Sequence, residues 1–64
     1  MNPKYLYTLR DQYCALGTCK AKTLNKAAEL FKLEVAECFY FCGVLIDPKT
    51  KVRFGVTWEV LGNA

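Results

Sequence analysis

The sequence contains no histidine and no serine. Without histidine, none of the four cysteines can be activated as a nucleophile by a neighbouring imidazole. The aliphatic hydroxyls are all threonines: Thr8, Thr18, Thr23, Thr50 and Thr57. Glycines stand singly at 17, 43, 55 and 62, so there is no Gly-rich loop of the kind that cradles phosphates. No apolar run reaches the roughly 18 residues that suggest a membrane-spanning helix. Residues 1–5 carry neither an uninterrupted apolar stretch nor a small-residue cleavage site, which leads to the expectation of a cytoplasmic protein. Repeats and low-complexity segments are absent as well. Together these absences argue for a non-enzymatic chain that needs no cofactor, metal or small-molecule substrate.

The 64 residues allow one small domain spanning 1–64. Surface scaling gives about 6,400 Å² buried on folding. If about 60% of that is apolar, burial contributes about 95 kcal/mol at ~25 cal/mol/Å². Ordering the chain costs about 96 kcal/mol, at about 1.5 per residue. A chain this finely balanced has no spare core with which to wall a deep cleft. Glu34 and Glu37, three apart, would need such a cleft to act as an acid–base pair, and read instead as a solvated face.

Hydrophobic residues make up 53% of the chain, which separates it from disordered tails. Nine basic side chains exceed six acidic ones. The excess lies in residues 1–32, which carry six basic and two acidic groups. The cysteines stand at 14, 19, 38 and 42. Their spacing differs from the C-x2-C knuckles that zinc sites favour, and Phe39-Tyr40-Phe41 fills the second gap. Reduced, half-buried thiols are the expected state, with a zinc site and a disulfide framework as the other options.

Asn2-Pro3 can open a helix, and Tyr5, Leu6, Leu9, Tyr13 and Leu16 recur at spacings of three and four. This predicts a helix over 3–16 with Gly17 as its C-cap. Thr23 can cap a second helix, with Leu24, Ala27, Ala28, Leu30 and Phe31 on its apolar side. Leu24, Ala28, Phe31, Val35, Cys38 and Cys42 keep helical periodicity, so residues 24–42 form one helix or two. Gly43 then ends the helical region. Val44-Leu45-Ile46 reads as a buried strand, Asp47-Pro48-Lys49-Thr50 as a turn, and the alternation of Val52, Phe54, Val56, Trp58 and Val60 as a half-buried strand. The expected fold class is α+β: two or three helices followed by a C-terminal antiparallel β-hairpin, winged-helix-like.

The stretch Leu24-Asn25-Lys26-Ala27-Ala28-Glu29-Leu30-Phe31-Lys32-Leu33, with Val35, Cys38 and Phe41 beyond it, carries a resemblance. It resembles the helix-turn-helix of excisionase-like, MerR-like and phage antirepressor-type DNA-binding domains. Those domains have a small residue where Ala28 stands and apolar residues where Phe31, Leu33, Cys38 and Phe41 stand. The resemblance covers residues 23–61 and implies that Val44–Leu61 is a wing. Lys32 stands where those domains usually have glycine. It also implies a recognition helix over Glu34–Phe41, and here the residue chemistry departs from DNA binding. Groove-reading helices offer Arg, Lys, Asn, Gln or Ser to phosphates and base edges. Glu34 and Glu37 would be repelled, and Phe39 and Tyr40 would be out of place.

An apolar, slightly acidic face built from Glu34, Val35, Glu37, Phe39 and Tyr40 suits a protein partner or a second copy of the chain. As a class, the chain resembles small phage-encoded inhibitors, anti-CRISPR and anti-restriction proteins among them, in being tiny, cysteine-tolerant and without catalytic residues. The expectation is therefore a protein-binding module, an inhibitor or adaptor acting on a larger machine. The alternative is a winged-helix-like DNA-binding regulator. Its phosphate contacts would come from Lys20, Lys22 and Lys26 at the second helix and from Lys49, Lys51 and Arg53 at the hairpin. Neither expectation involves a membrane.

Overall fold

A computed structural model describes residues 4–61. Strands β1 (Tyr5–Arg10) and β2 (Ala15–Ala21) lead into helix α1 (Leu24–Phe31), followed by β3 (Glu34–Cys38), β4 (Cys42–Ile46) and β5 (Arg53–Val60). The strands form a single sheet in the order β2-β1-β5-β4-β3, every neighbouring pair antiparallel. Since β2 and β3 are its two edges, α1 has to cross one face of the sheet to connect them. It packs against both edge strands.

The core follows from strand alternation. Tyr7, Leu9, Trp58 and Val56 lie on the face that α1 covers, with Tyr7 opposite Trp58 and Leu9 opposite Val56. Gly43 faces Val56 and Leu45 faces Phe54. Tyr7, Ala21, Ala27, Ala28, Leu45 and Val56 are the buried apolar residues. Ala27 and Ala28 let the helix approach the sheet closely, which larger side chains would prevent. The rings of Tyr7 and Trp58 sit 5.5 Å apart at a tilt of 43°, close to the offset geometry aromatic pairs prefer. Leu6, Thr8, Val44 and Ile46 occupy the opposite face among Arg10, Lys20, Thr57 and Glu59, a mixture suited to water.

Helix α1 begins as read. Thr23 is its N-cap, its Oγ1 accepting from the Lys26 N–H at 3.1 Å. It ends after eight residues, earlier than expected. Lys32 takes the left-handed conformation at φ 62°, the Leu33 N–H donates to Ala28 O at 2.9 Å, and the Lys32 N–H donates to Glu29 O at 3.0 Å. This is the Schellman closure, made with lysine where glycine is usual.

The winged-helix architecture and the helix-turn-helix resemblance are therefore both overturned. The segment read as a first helix, 3–16, is β1, a turn and the start of β2; its expected Asn2-Pro3 start lies outside the described residues. Gly17 is a strand residue paired with Leu9, and caps nothing. The question of one helix or two over 24–42 resolves to neither, because Glu34–Cys38 is a strand. Gly43 is buried within β4 and ends no helix. The supposed wing is the middle of the molecule, with β5 as the central strand. The turn between β4 and β5 does form where the sequence indicated. The Asp47 carboxylate accepts from the Lys49 N–H at 2.8 Å, and the Lys51 N–H donates to Asp47 O at 2.7 Å.

Candidate interaction surface at the β3–β4 turn

The residues expected on one helix face divide between a strand and a turn. Glu34 and Val35 open β3, opposite Ile46 and Leu45. Val35 is half-buried and packs on the core. A bulge at Ala36 shifts the register, after which Glu37 pairs with Val44 and Cys38 with Gly43. The carboxylate of Glu37 accepts from the guanidinium of Arg53, which joins one residue of the expected protein-binding set to one of the expected phosphate-binding set, both about half exposed.

Phe39, Tyr40 and Phe41 form the turn between β3 and β4. The Phe39 N–H donates to Cys42 O at 2.7 Å, and the Trp58 N–H donates to Phe41 O at 3.3 Å. The backbone thus closes on itself and anchors to the central strand. The side chains have no such anchor. Phe39, Tyr40 and Phe41 are 56%, 85% and 46% exposed, and Tyr40 and Phe41 meet edge-on with ring centroids 4.5 Å apart. Val60 and Leu61, also exposed, belong to the same end of the sheet, where the Leu61 N–H donates to Lys4 O. Consecutive exposed aromatics on a closed turn form a convex apolar tip. They differ from the scattered exposed hydrophobes usual on small proteins.

The basic residues do not converge. Lys20 lies near the end of β2 that pairs with Tyr5 and Leu6, close in sequence to Lys22 and to Lys26 in α1. Lys49 and Lys51 belong to the β4–β5 turn, at the opposite end of the sheet, where Ile46 faces Arg53 and Arg10 faces Gly55. Lys26 approaches Glu29 at 3.9 Å on the helix surface, an exposed pair worth little. Lys20 and Arg53 share the open face of the sheet, at opposite ends of it.

The thiols are all free: Cys14 lies in the β1–β2 turn and Cys19 in β2, while Cys38 and Cys42 flank the aromatic turn at the ends of β3 and β4. Among the described residues, no group of three or more potential metal ligands is gathered. Burial pushes the Cys19 thiol and the Tyr7 hydroxyl up from their ordinary pKa values, so neither is primed for chemistry. The Asp11 carboxyl is held below its ordinary value, first by the Cys14 N–H and then by the Tyr13 N–H it accepts from. That is a turn-building role.

One residue of the tip escaped the sequence-based choice. Phe41 stands where the helix-turn-helix resemblance implies an apolar packing position, and the turn exposes it instead. Its neighbours Phe39 and Tyr40 were legible as a run of aromatics too dense for so short a chain to hide. Among the described residues, no helix is long and apolar enough to cross a membrane. No protein-family model, no curated protein and no solved structure matches the chain.

Proposed function

We propose that this chain is a non-enzymatic protein-binding module whose contact surface is the aromatic turn Phe39-Tyr40-Phe41. The observation that carries this reading is the exposure of three consecutive aromatic side chains on a turn whose backbone is already closed. Such side chains supply large, rigid contact area at low entropic cost, and interface anchors are drawn disproportionately from them. The partner is a protein with an apolar groove, and a module of this size acts by occupying a surface on a larger assembly. Four free thiols fit a reducing compartment, and the cytosol is the proposed location. The route of contact differs from a recognition helix: it is a strand-connecting turn, so Val35 and Glu37 belong to its support.

The test is a photo-crosslinking benzophenone amino acid placed at position 40 and, separately, at position 13. Tyr13 is 86% exposed in the β1–β2 turn and serves as the matched control. A partner captured from position 40 and not from position 13 is the expected result. Equal capture from both positions, or none from position 40, sinks the reading.

A further inference from the structure

We propose that the outer edge of β2 is a pairing surface for a second copy of this chain, independently of the aromatic turn. An edge strand offers unpaired backbone N–H and C=O groups, and proteins that stay monomeric blunt such edges with charges, bulges or cover. The edge at β3 is blunted in two of these ways. It carries Glu34 and Glu37 among only five residues, and the Ala36 bulge breaks its register in the middle.

The edge at β2 differs. Its register shift lies at one extremity, where Leu9 faces Gly17 but Arg10 faces Ala15. Beyond it, Gly17–Ala21 pairs with β1 residue by residue, without interruption. That run contains no proline and no carboxylate, and Lys20 is its one charged side chain. Across the sheet, Thr18 and Lys20 project to the open face while Cys19 and Ala21 project toward the helix.

This run is self-complementary. Two antiparallel copies related by a two-fold axis at Cys19 place Gly17 of one opposite Ala21 of the other, and Thr18 of one opposite Lys20 of the other. The axis brings Cys19 face to face with Cys19 of the second copy. No like charges meet, small residues lie at both ends, and the bulge stays outside the paired window. Isologous pairing of this kind is the commonest route to a closed dimer. The product is a ten-stranded sheet with an aromatic turn on each outer flank, a bivalent version of the module proposed above.

Sedimentation equilibrium of the full chain, carried to millimolar concentration, reads the association. The expected mass is twice 7.3 kDa. Thr18→Lys sets a lysine opposite Lys20 of the other copy and should weaken association at least tenfold, with the far-UV circular dichroism unchanged because Thr18 is exposed. Cys14→Ser/Cys38→Ser/Cys42→Ser leaves Cys19 as the sole thiol. Treated with oxidised glutathione, the paired thiols should lose two protons and two electrons to form one disulfide between copies, as the oxidant becomes two reduced glutathiones. A chain that stays monomeric, a dimer indifferent to Thr18→Lys, or a Cys19 that takes up glutathione without cross-linking copies overturns the proposal. A dimer lost on Phe39→Ser/Tyr40→Ser also overturns it, by moving self-association to the aromatic turn. Loss of the β2 dimer with crosslinking from position 40 intact leaves the protein-binding reading standing.

Discussion

Two kinds of turn hold this sheet together, and they are built on different chemistry. At one end, the β1–β2 and β4–β5 connections each rest on an aspartate. Asp11 accepts from the Tyr13 and Cys14 N–H groups at 2.7 and 2.8 Å, and Asp47 accepts from the Lys49 N–H at 2.8 Å. Their side chains satisfy backbone donors that would otherwise need water, a standard device for a solvent-facing turn. At the other end, the β3–β4 turn has three aromatics, and the Tyr40 hydroxyl is its only polar side-chain group. It closes through backbone bonds, with the Cys38 thiol donating to Phe39 O at 3.6 Å, while its large apolar groups stand in water. Solubility and turn propensity both disfavour that choice. The difference teaches that Asp11 and Asp47 are explained by folding, whereas the exposure of Phe39, Tyr40 and Phe41 is not, and the proposed contact surface rests on that contrast.

The sharpest way to break the aromatic turn is from beneath. A Cβ added to Gly43 would lie 2.5 Å from the backbone oxygen of Glu37 and 3.4 Å from the Cys38 Cα, both fixed by the β3–β4 pairing. Neither atom is the end of a flexible side chain, so strands must move apart. Gly43→Ala should cost about 2 kcal/mol, the middle of the range for forced overpacking. Urea unfolding checks it, and unchanged stability would mean that β3 is too loosely held to present a defined tip.

The Asp11 turn should respond to pH. The folded-state pKa of Asp11 lies below its ordinary value of 3.8, so the contribution is complete above that value and is lost as pH falls through the lower, folded-state pKa. Thermal unfolding between neutral pH and strong acid should therefore show a falling midpoint on the acid side. Asp11→Ala should flatten that part of the profile while lowering the midpoint at neutral pH. A profile of the same steepness in the variant would assign the acid sensitivity elsewhere.

The segments of the chain also differed in how well the sequence revealed them. Asp47-Pro48 and the alternation from Val52 to Val60 name a turn and a strand by chemistry that depends only on near neighbours; the turn forms, and so does the strand, from Arg53 onward with Val52 left outside it. Thr23 likewise marks the start of α1. The N-terminal segment misled because two periods fit it. Tyr5, Leu6, Leu9, Tyr13 and Leu16 match a helix, yet Tyr5, Tyr7 and Leu9 match a strand equally well. The helical pattern left out Tyr7, the buried residue, and included Tyr13, which is nearly free. Pairing with β5 on one side and β2 on the other decided between them, and such long-range contacts leave no local trace.

Residues 24–42 misled for a second reason. Their helical spacing continues through Val35, Cys38 and Cys42, but Lys32 enters a left-handed conformation that lysine adopts only at a cost of roughly 1 kcal/mol. No glycine announced the stop. The signals available beyond it were the β-branched and aromatic residues of Val35–Ile46, which favour strands. Of the candidate site, Phe39 and Tyr40 were legible because hydrophobic excess does not depend on fold. The basic set was not, since which lysines share an end depends on strand order.

The smallest predicted effect on stability distinguishes the two kinds of turn most directly. Phe39→Ser/Tyr40→Ser removes two rings from water-exposed positions and leaves the bonds from Phe39 to Cys42 and from Trp58 to Phe41 in the backbone. The change in unfolding free energy should stay within about 0.5 kcal/mol, the range of ordinary surface substitutions. Serine also suits a turn better than either aromatic, so a slight gain is consistent with the same physics. Over the same change, binding of an apolar fluorescent dye should fall and capture of the partner should vanish, because truncating aromatic anchors costs about 2 kcal/mol or more each when they sit in a partner's pocket. A large loss of stability would reverse the comparison. It would mean that the aromatics hold the β3–β4 turn as the aspartates hold theirs, and the exposed rings would then be explained by folding alone.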